Sequence, residues 1–443
     1  MEQTKTTRSA RNVLAPWSKQ SAVNTPTFVR AEGSWMFDDA DNRYLDLSAG
    51  LVAVNMGHSH PKIVKAIADQ AARVAYVPPA LINDTRNALA DFLSEISPWA
   101  EGGRTFFTTG GGEANEDAIK MARMISGRHK ILASYRSFHG SAPGAGSMTG
   151  EDRRWANEPG LPGIKHFFAP YTYSSPFHTD DPVEETDRAL KHLEQVIMFE
   201  GPSNIAALFI EPLVGSNGVS SYPDGYLRGV RDITSRHGIM LVFDEVMTGF
   251  GRLGEWFAAI RYGVEPDMIT FAKGVASAYV PLGGVLIRDQ HCEYFEELAL
   301  MCGHTYSGHP LSMAAGLANL QAMRDEGIVH RACELEPLLR KGLTELAERH
   351  PSIGDVRGEG AMFGLEFVKN RDTREPLVPW YAGDNAPGTQ LCKALRDEGV
   401  YAFGRYNMLL VTPPLVITED ELQFGLQALN RALSQVEGGW DLH

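Results

Sequence analysis

The chain has 443 residues, 43% of them apolar and 22% charged, with 44 glycines, a balance that fits a globular enzyme of two or three domains rather than a disordered or fibrous protein. A net charge of −14 argues against nucleic acid and against an anionic membrane surface, because both are met by basic patches. No apolar run approaches the roughly 20 residues of a bilayer span, and four cysteines with no CxxC pair read as reduced thiols.

In chain order, the opening MEQTKTTRSARNVLAPW has no apolar stretch to serve as a signal peptide and reads as a cytoplasmic N-terminus. GHSHP sets His58 and His60 two apart with no third ligand at metal spacing, so a turn is expected there and no metal site. From about residue 60 to 320, short apolar strands alternate with helical stretches, the pattern of a largely parallel sheet wrapped by helices. RTFFTTGGGEANEDAIKMARMISG reads as strand, glycine loop and helix. Ala118, Ala122 and Ile125 recur on one face, and Gly127 closes the helix. HKILASYRSFHG supplies the next strand. IAALFIEPLV and IMLVFDEV flank a helix over Tyr226 to His237, and DMITFAKG and LGGVLI read as further strands.

After residue 320 the pattern changes. EPLLRKGLTELAERHP is an amphipathic helix, AMFGLEFV a strand and NRDTREPLVPWYAGDNAPG a surface loop. A final helix opens with a capping box, Thr418 to Glu421, and carries the stripe Leu422, Leu426, Leu429 and Leu433. The expected division is a large domain over 61–320, a smaller α+β domain over 321–443, and an N-terminal segment, 1–60, packed with the smaller one.

Three stretches carry chemistry. GFGRLG, residues 249–254, has the form of a dinucleotide fingerprint, but the strand before it ends in Asp244 and Glu245, whose charges would repel a pyrophosphate. TTGGGEANEDAIK places three glycines between strand and helix, so backbone N–H groups can approach an anion at the positive helix end; a plain tight turn is the other reading. Asp244 closes a strongly apolar strand and so needs a cationic or hydrogen-bonding partner. Lys273 carries an apolar strand straight into a glycine. It is either a solvated strand end or a covalent residue.

An anion cradle at Gly111, a buried carboxylate at Asp244, the pair Phe138 and His139, and a lysine at a strand end are together what a pyridoxal phosphate site requires. The lysine forms a Schiff base that is neutral when deprotonated, and the aspartate keeps the pyridine nitrogen protonated.

On EANEDAIKMAR, FHG, FIEPL, DEVMTGFGRLG, DMITFAKG, PLGG and HTYSGHP, the chain resembles the class III (ω-) aminotransferases over nearly its whole length. That resemblance implies an α/β protein of fold type I among pyridoxal phosphate enzymes, with a mostly parallel large-domain sheet and a smaller α+β domain. It implies Lys273 as Schiff-base lysine and proton shuttle, Asp244 on the pyridinium nitrogen, and Val246 on the ring face opposite Phe138. Gly111 and Gly112 would hold the phosphate, His139 and Glu211 would lie at the cofactor, and Thr305 with Tyr306 would reach it from another subunit. A homodimer or dimer of dimers follows from that sharing. The family's usual Ser-Gly-Ser phosphate loop is here Gly110, Gly111 and Gly112, which removes the serine hydroxyls. Val52 stands where tryptophan is common, and Ser141 stands where glutamate-binding members often carry arginine.

On LAPWSKQ, GEDRRWANEPGLPGIKHFFAPYTY, NRDTREPLVPW and YAFGRYNMLLVTPPL, the finer resemblance is to transaminases of taurine, β-alanine or longer ω-amino acids such as 6-aminohexanoate, with pyruvate or 2-oxoglutarate as acceptor. Trp17, Leu51 and Phe138 would then wall the substrate site, and Arg405 would meet the donor's anion. The alternatives are an amine:pyruvate transaminase, or a racemase, aminomutase or decarboxylase on the same fold.

Overall fold

The structure is a computed structural model that describes residues 12–22, 25–379 and 386–443. Residues 1–11 of the N-terminal segment and 380–385 of the expected surface loop lie outside the described residues.

Strands β1 (Phe28–Glu32), β2 (Trp35–Asp38) and β3 (Arg43–Asp46) form an antiparallel meander. Helix α1 (Pro61–Arg73) starts on a proline, whose missing N–H has no helical partner to lose. Helix α2 (Asp84–Glu95) is capped by Asn83, which accepts from the Arg86 N–H at 2.8 Å. The central stretch runs β4 (Gly103–Thr108), α3 (Gly111–Ser126), β5 (Lys130–Ser134), β6 (Ile164–Phe167), α4 (Pro182–Glu200) and β7 (Ile205–Ile210). It continues with α5 (Tyr226–His237), β8 (Met240–Asp244), β9 (Met268–Phe271) and β10 (Gly283–Arg288). Then come α6 (Pro310–Asp325), α7 (Arg331–Arg349), β11 (Ile353–Glu359), β12 (Met362–Asn370) and β13 (Glu375–Pro376). The last elements are α8 (Ala386–Asp397), β14 (Val400–Tyr401), β15 (Phe403–Arg405), β16 (Met408–Val411) and α9 (Glu419–Val436).

The large sheet has the order β4-β10-β9-β8-β7-β5-β6. Its five strands from β9 to β6 are parallel, and β10 runs antiparallel to both its neighbours. Every residue of β7 and β8 is buried, as expected for central strands covered by helices on both faces. The carboxyl ends of β4, β5, β7, β8 and β9 therefore open on one edge, where ligands of such sheets bind.

Two smaller sheets complete the fold. β11, β12, β16 and β15 form one, with β13 added to β12. In the other, β14 joins the N-terminal meander by parallel pairing with β3, Val400 opposite Leu45. The capping box is formed: Glu421 N–H donates to Thr418 Oγ1 at 3.2 Å, and Thr418 N–H donates to Glu421 Oε2 at 2.8 Å. The leucine stripe of α9 is buried below it. Two details differ from the sequence reading. β6 is an added edge strand, and the stretch read as a loop contains β13 and the start of α8. Among the described residues no helix is long and apolar enough to cross a membrane.

Candidate active site

A cavity of about 470 Å³ opens at the carboxyl edge of the large sheet. Gly111, Gly112, Phe138, Asp244, Val246 and Lys273 line it, with His139 and Glu211 beside them. They come from the ends of five strands, β4, β5, β7, β8 and β9, or from the turns after them.

Asp244, the last residue of β8, is 4% exposed and fully hydrogen-bonded. Its Oδ2 accepts from Asn115 Nδ2 at 2.8 Å and lies 2.7 Å from His139 Nδ1, while Oδ1 accepts from the Val246 N–H at 3.1 Å. Asn115 Nδ2 also donates to the His139 carbonyl at 2.8 Å, which ties the two together. Burial disfavours a charged His139 ring, but the hydrogen bond and charge of Asp244 outweigh it and raise its pKa above the ordinary value. Asn115 was missed in the sequence, although it stands three residues before Ala118 on the same apolar face of α3. A buried amide there was the available signal.

Lys273 follows β9 by two residues and takes the left-handed region, φ 48°, which a non-glycine residue enters only where its surroundings hold it. Among the described residues no hydrogen bond or ion pair holds its Nζ. Burial lowers its pKa to about 8, against the pull of the Asp244 and Glu211 charges. Glu211, just past β7, accepts the N–H groups of Phe138 and Gly215, each at 2.8 Å. Burial raises its carboxyl to about 7, with Asp244 adding and His139 opposing.

Helix α3 starts at Gly111, so its first N–H groups face the cavity without helical partners. A Cβ on Gly111 would stand 2.7 Å from Val246 Cγ2, so only glycine fits there unless Val246 moves. Glu245, next to Asp244, turns away and accepts the N–H groups of Ala258 and Ala259 at 2.6 and 2.8 Å. GFGRLG is a buried turn, not a nucleotide loop: Arg252 is fully buried and bonds the carbonyls of Ala361 and Pro413 and the amide oxygen of Asn55.

An amine held near neutrality, a carboxylate fixed by two side chains and a side-chain-free helix start fit pyridoxal phosphate. The amine matches its aldehyde, the carboxylate its ring nitrogen, and the helix N-terminus its phosphate.

The remaining expected residues lie around this cavity rather than in its wall. Trp17 is exposed and meets Phe138 edge-on, ring centroids 6.2 Å apart. Leu51 is exposed. Thr305 and Tyr306 are outside this chain's cavity; the Thr305 carbonyl accepts from Tyr76 Oη at 3.1 Å, and Tyr306 is exposed. Arg405 is held in ion pairs to Glu151 and Asp152, and Tyr406 Oη donates to Asp152 at 2.5 Å. Arg153 pairs with the same Glu151, donates to Ser216 Oγ at 2.9 Å, and lies 3.7 Å above the Phe138 ring. This four-charge cluster escaped the sequence reading of GEDRRWANEPG, because its partner on β15 is 254 residues away.

Residues 17–433 match the family described as class-III aminotransferases. The chain is similar to the taurine:2-oxoglutarate aminotransferase of Bifidobacterium kashiwanohense, solved with PLP and glutamate: 38% identity, 97% of this chain and 96% of that one, TM-score 0.93. An (S)-enantioselective ω-transaminase from Thermomicrobium roseum shares 36% identity over 97% of this chain and 98% of its own, at a TM-score of 0.92. The putrescine–pyruvate aminotransferase of Pseudomonas aeruginosa is 33% identical over 95% of this chain and 94% of its own.

Proposed function

The chain belongs to the class III aminotransferases, pyridoxal phosphate enzymes of fold type I, and from that premise we propose that it moves the terminal amino group of an ω-amino acid to a 2-oxo acid. Donors of the class are β-alanine, taurine or a longer ω-amino carboxylate, and acceptors are pyruvate or 2-oxoglutarate. The observation that carries this reading is Arg153 over the ring of Phe138, a wall residue of the Lys273 cavity, with Arg405 paired to the same Glu151 behind it. The likeness to a taurine:2-oxoglutarate aminotransferase supports it.

Bound pyridoxal phosphate supplies an aldehyde that exchanges between amines and a ring that takes up electron density. The residues of the chain do the rest. Lys273 Nζ, with its pKa at about 8, releases a proton readily and takes one from the carbon that bears the donor's amine. Asp244, steadied by Asn115 and His139, would meet the ring nitrogen and favour its protonated form. Phe138 and Val246 would hold the ring between them, and the Gly111 and Gly112 N–H groups would take the phosphate. Donor and acceptor use the site in turn: the donor gives up its amino group, takes up one water and leaves as an aldehyde, and the 2-oxo acid takes the amino group, releases one water and leaves as an amino acid.

Shared sites in a homodimer or dimer of dimers complete the proposal. It is supported by Thr305 and Tyr306 standing outside this chain's cavity, with Tyr306, Leu81 and Ile82 exposed. Four free thiols support a reducing, cytoplasmic compartment. A second reading, amine:pyruvate transamination, has the likeness to the putrescine–pyruvate enzyme in its favour.

The test is a half-reaction. Cofactor-loaded protein is mixed with β-alanine, taurine, γ-aminobutyrate or 6-aminohexanoate without any oxo acid, and pyridoxamine phosphate is measured, with Lys273→Ala as control. Conversion by one of these donors is expected. Conversion by simple amines alone would replace the ω-amino acid reading with the amine one.

A further inference from the structure

We propose that Arg153, not Arg405, recognises the donor's distal carboxylate or sulfonate. This deepens the transaminase reading and rests on it.

The two guanidinium groups share two carboxylates unequally. Arg405 engages both, Nη1 on Glu151 and Nη2 on Asp152, and Tyr406 Oη fixes the second oxygen of Asp152. Glu151 is fully buried, so drawing Arg405 out toward a ligand would strip that carboxylate of one of its two cations. Arg153 has a looser set of partners. Nε meets Glu151 and Nη2 donates to the neutral Ser216 hydroxyl, while Nη1 has no hydrogen bond among the described residues.

Position favours the same residue. The Arg153 guanidinium carbon lies 3.7 Å over the ring of Phe138, a wall of the Lys273 cavity, and 5.3 Å from the Trp17 ring centroid. Stacking against these rings fixes the fork before any ligand arrives, which lowers the ordering cost of binding. Its side chain keeps 15% of its surface exposed, on a rim walled by Trp17 and Phe138. An anion one or more carbons beyond the reacting amine meets a preset donor fork there. Trp17 and Phe138 then cover its methylene chain.

The experiment compares β-alanine, taurine and n-propylamine in the half-reaction of the holoenzyme, for wild type, Arg153→Gln, Arg153→Lys and Arg405→Gln. The quantity read is the ratio of second-order rates, charged donor over n-propylamine. Thermal midpoints and the cofactor's visible band check folding and loading. Arg153→Gln lowers the ratio by about 10- to 100-fold for both anions, the range for a lost charge-assisted contact. Arg153→Lys restores part of it, the charge without the fork, and also stands in if the glutamine variant does not fold. Arg405→Gln moves the ratio less than threefold.

An unchanged ratio in both Arg153 variants overturns the assignment, as does a larger fall in Arg405→Gln. Equal losses on charged and neutral donors would make Arg153 a packing residue of Phe138 and also overturn it. A wild-type protein that converts none of the three amines would instead defeat the reading of β-alanine or taurine as donor, and the assignment with it.

Discussion

Replacing Gly111 with alanine places a methyl group 2.7 Å from Val246 Cγ2 and 3.0 Å from Cγ1, where ordinary contacts begin at 3.4 Å. Either Val246 or the start of α3 must retreat by the 0.7 Å difference. Overpacking of this kind costs about 1–3 kcal/mol. Both residues line the cavity, so the strain falls on cofactor binding, which should weaken by about 5- to 150-fold. The assay is a spectroscopic titration of apoprotein with pyridoxal phosphate, for wild type, Gly111→Ala, Val246→Ala and the double variant. If the clash is the cause, Val246→Ala makes room and the double variant loses less than the two single losses combined, by at least about 0.5 kcal/mol. Strictly additive losses, or an alanine variant that binds as tightly as wild type, would refute the steric argument.

Gly112 gives the opposite expectation: its added Cβ meets nothing nearer than Gly140 Cα at 3.7 Å, so Gly112→Ser fits and offers a hydroxyl to the phosphate. Cofactor affinity should rise about 2- to 10-fold, and a weaker titration curve would contradict this. Asn115→Ala removes one donor from Asp244 and one from the His139 carbonyl. The half-reaction should slow by about 10- to 100-fold with the cofactor still loaded; an unaltered rate would mean that His139 alone steadies the carboxylate. Because Lys273 has its pKa lowered to about 8, the neutral amine that captures an aldehyde becomes the main form as pH rises through that value. Stopped-flow capture of pyridoxal phosphate by apoprotein should therefore accelerate up to about pH 8 and level off above it. Glu211→Gln removes a charge that favours the protonated amine, so the inflection should move to lower pH; a move upward would reverse the assigned sign.

The parts of the site that sequence disclosed share one property: each sits where a strand ends, and its chemistry contradicts its surroundings. Asp244 and Lys273 are charges following apolar runs, and Gly111 is a side-chain-free helix start. Such conflicts are local and can be read from neighbours. The cluster of Glu151, Asp152, Arg153 and Arg405 gave no comparable local conflict. Polar residues in GEDRRW are unremarkable until β15 brings Arg405 against them. The same holds for the strands. The alternating pattern from 60 to 320 foretold the parallel sheet, but its antiparallel member β10 is set by pairing with β4, some 180 residues earlier in the chain. For Arg405, sequence named the residue but not its counterions, Glu151 and Asp152.

The pairing of β3 with β14 has a consequence for how the protein is made. Leu45 waits for Val400, 355 residues further along the chain. At synthesis rates of about 5–20 residues per second, that interval lasts roughly 20–70 s. During that time the meander of β1 to β3 presents β3, with Tyr44 and Leu45, as an open edge. The large sheet can assemble meanwhile from its own contiguous strands, whereas the first strands translated are among the last to find their neighbour. Nascent-chain capture or edge-to-edge aggregation would therefore act on this segment first, before any cofactor has been bound.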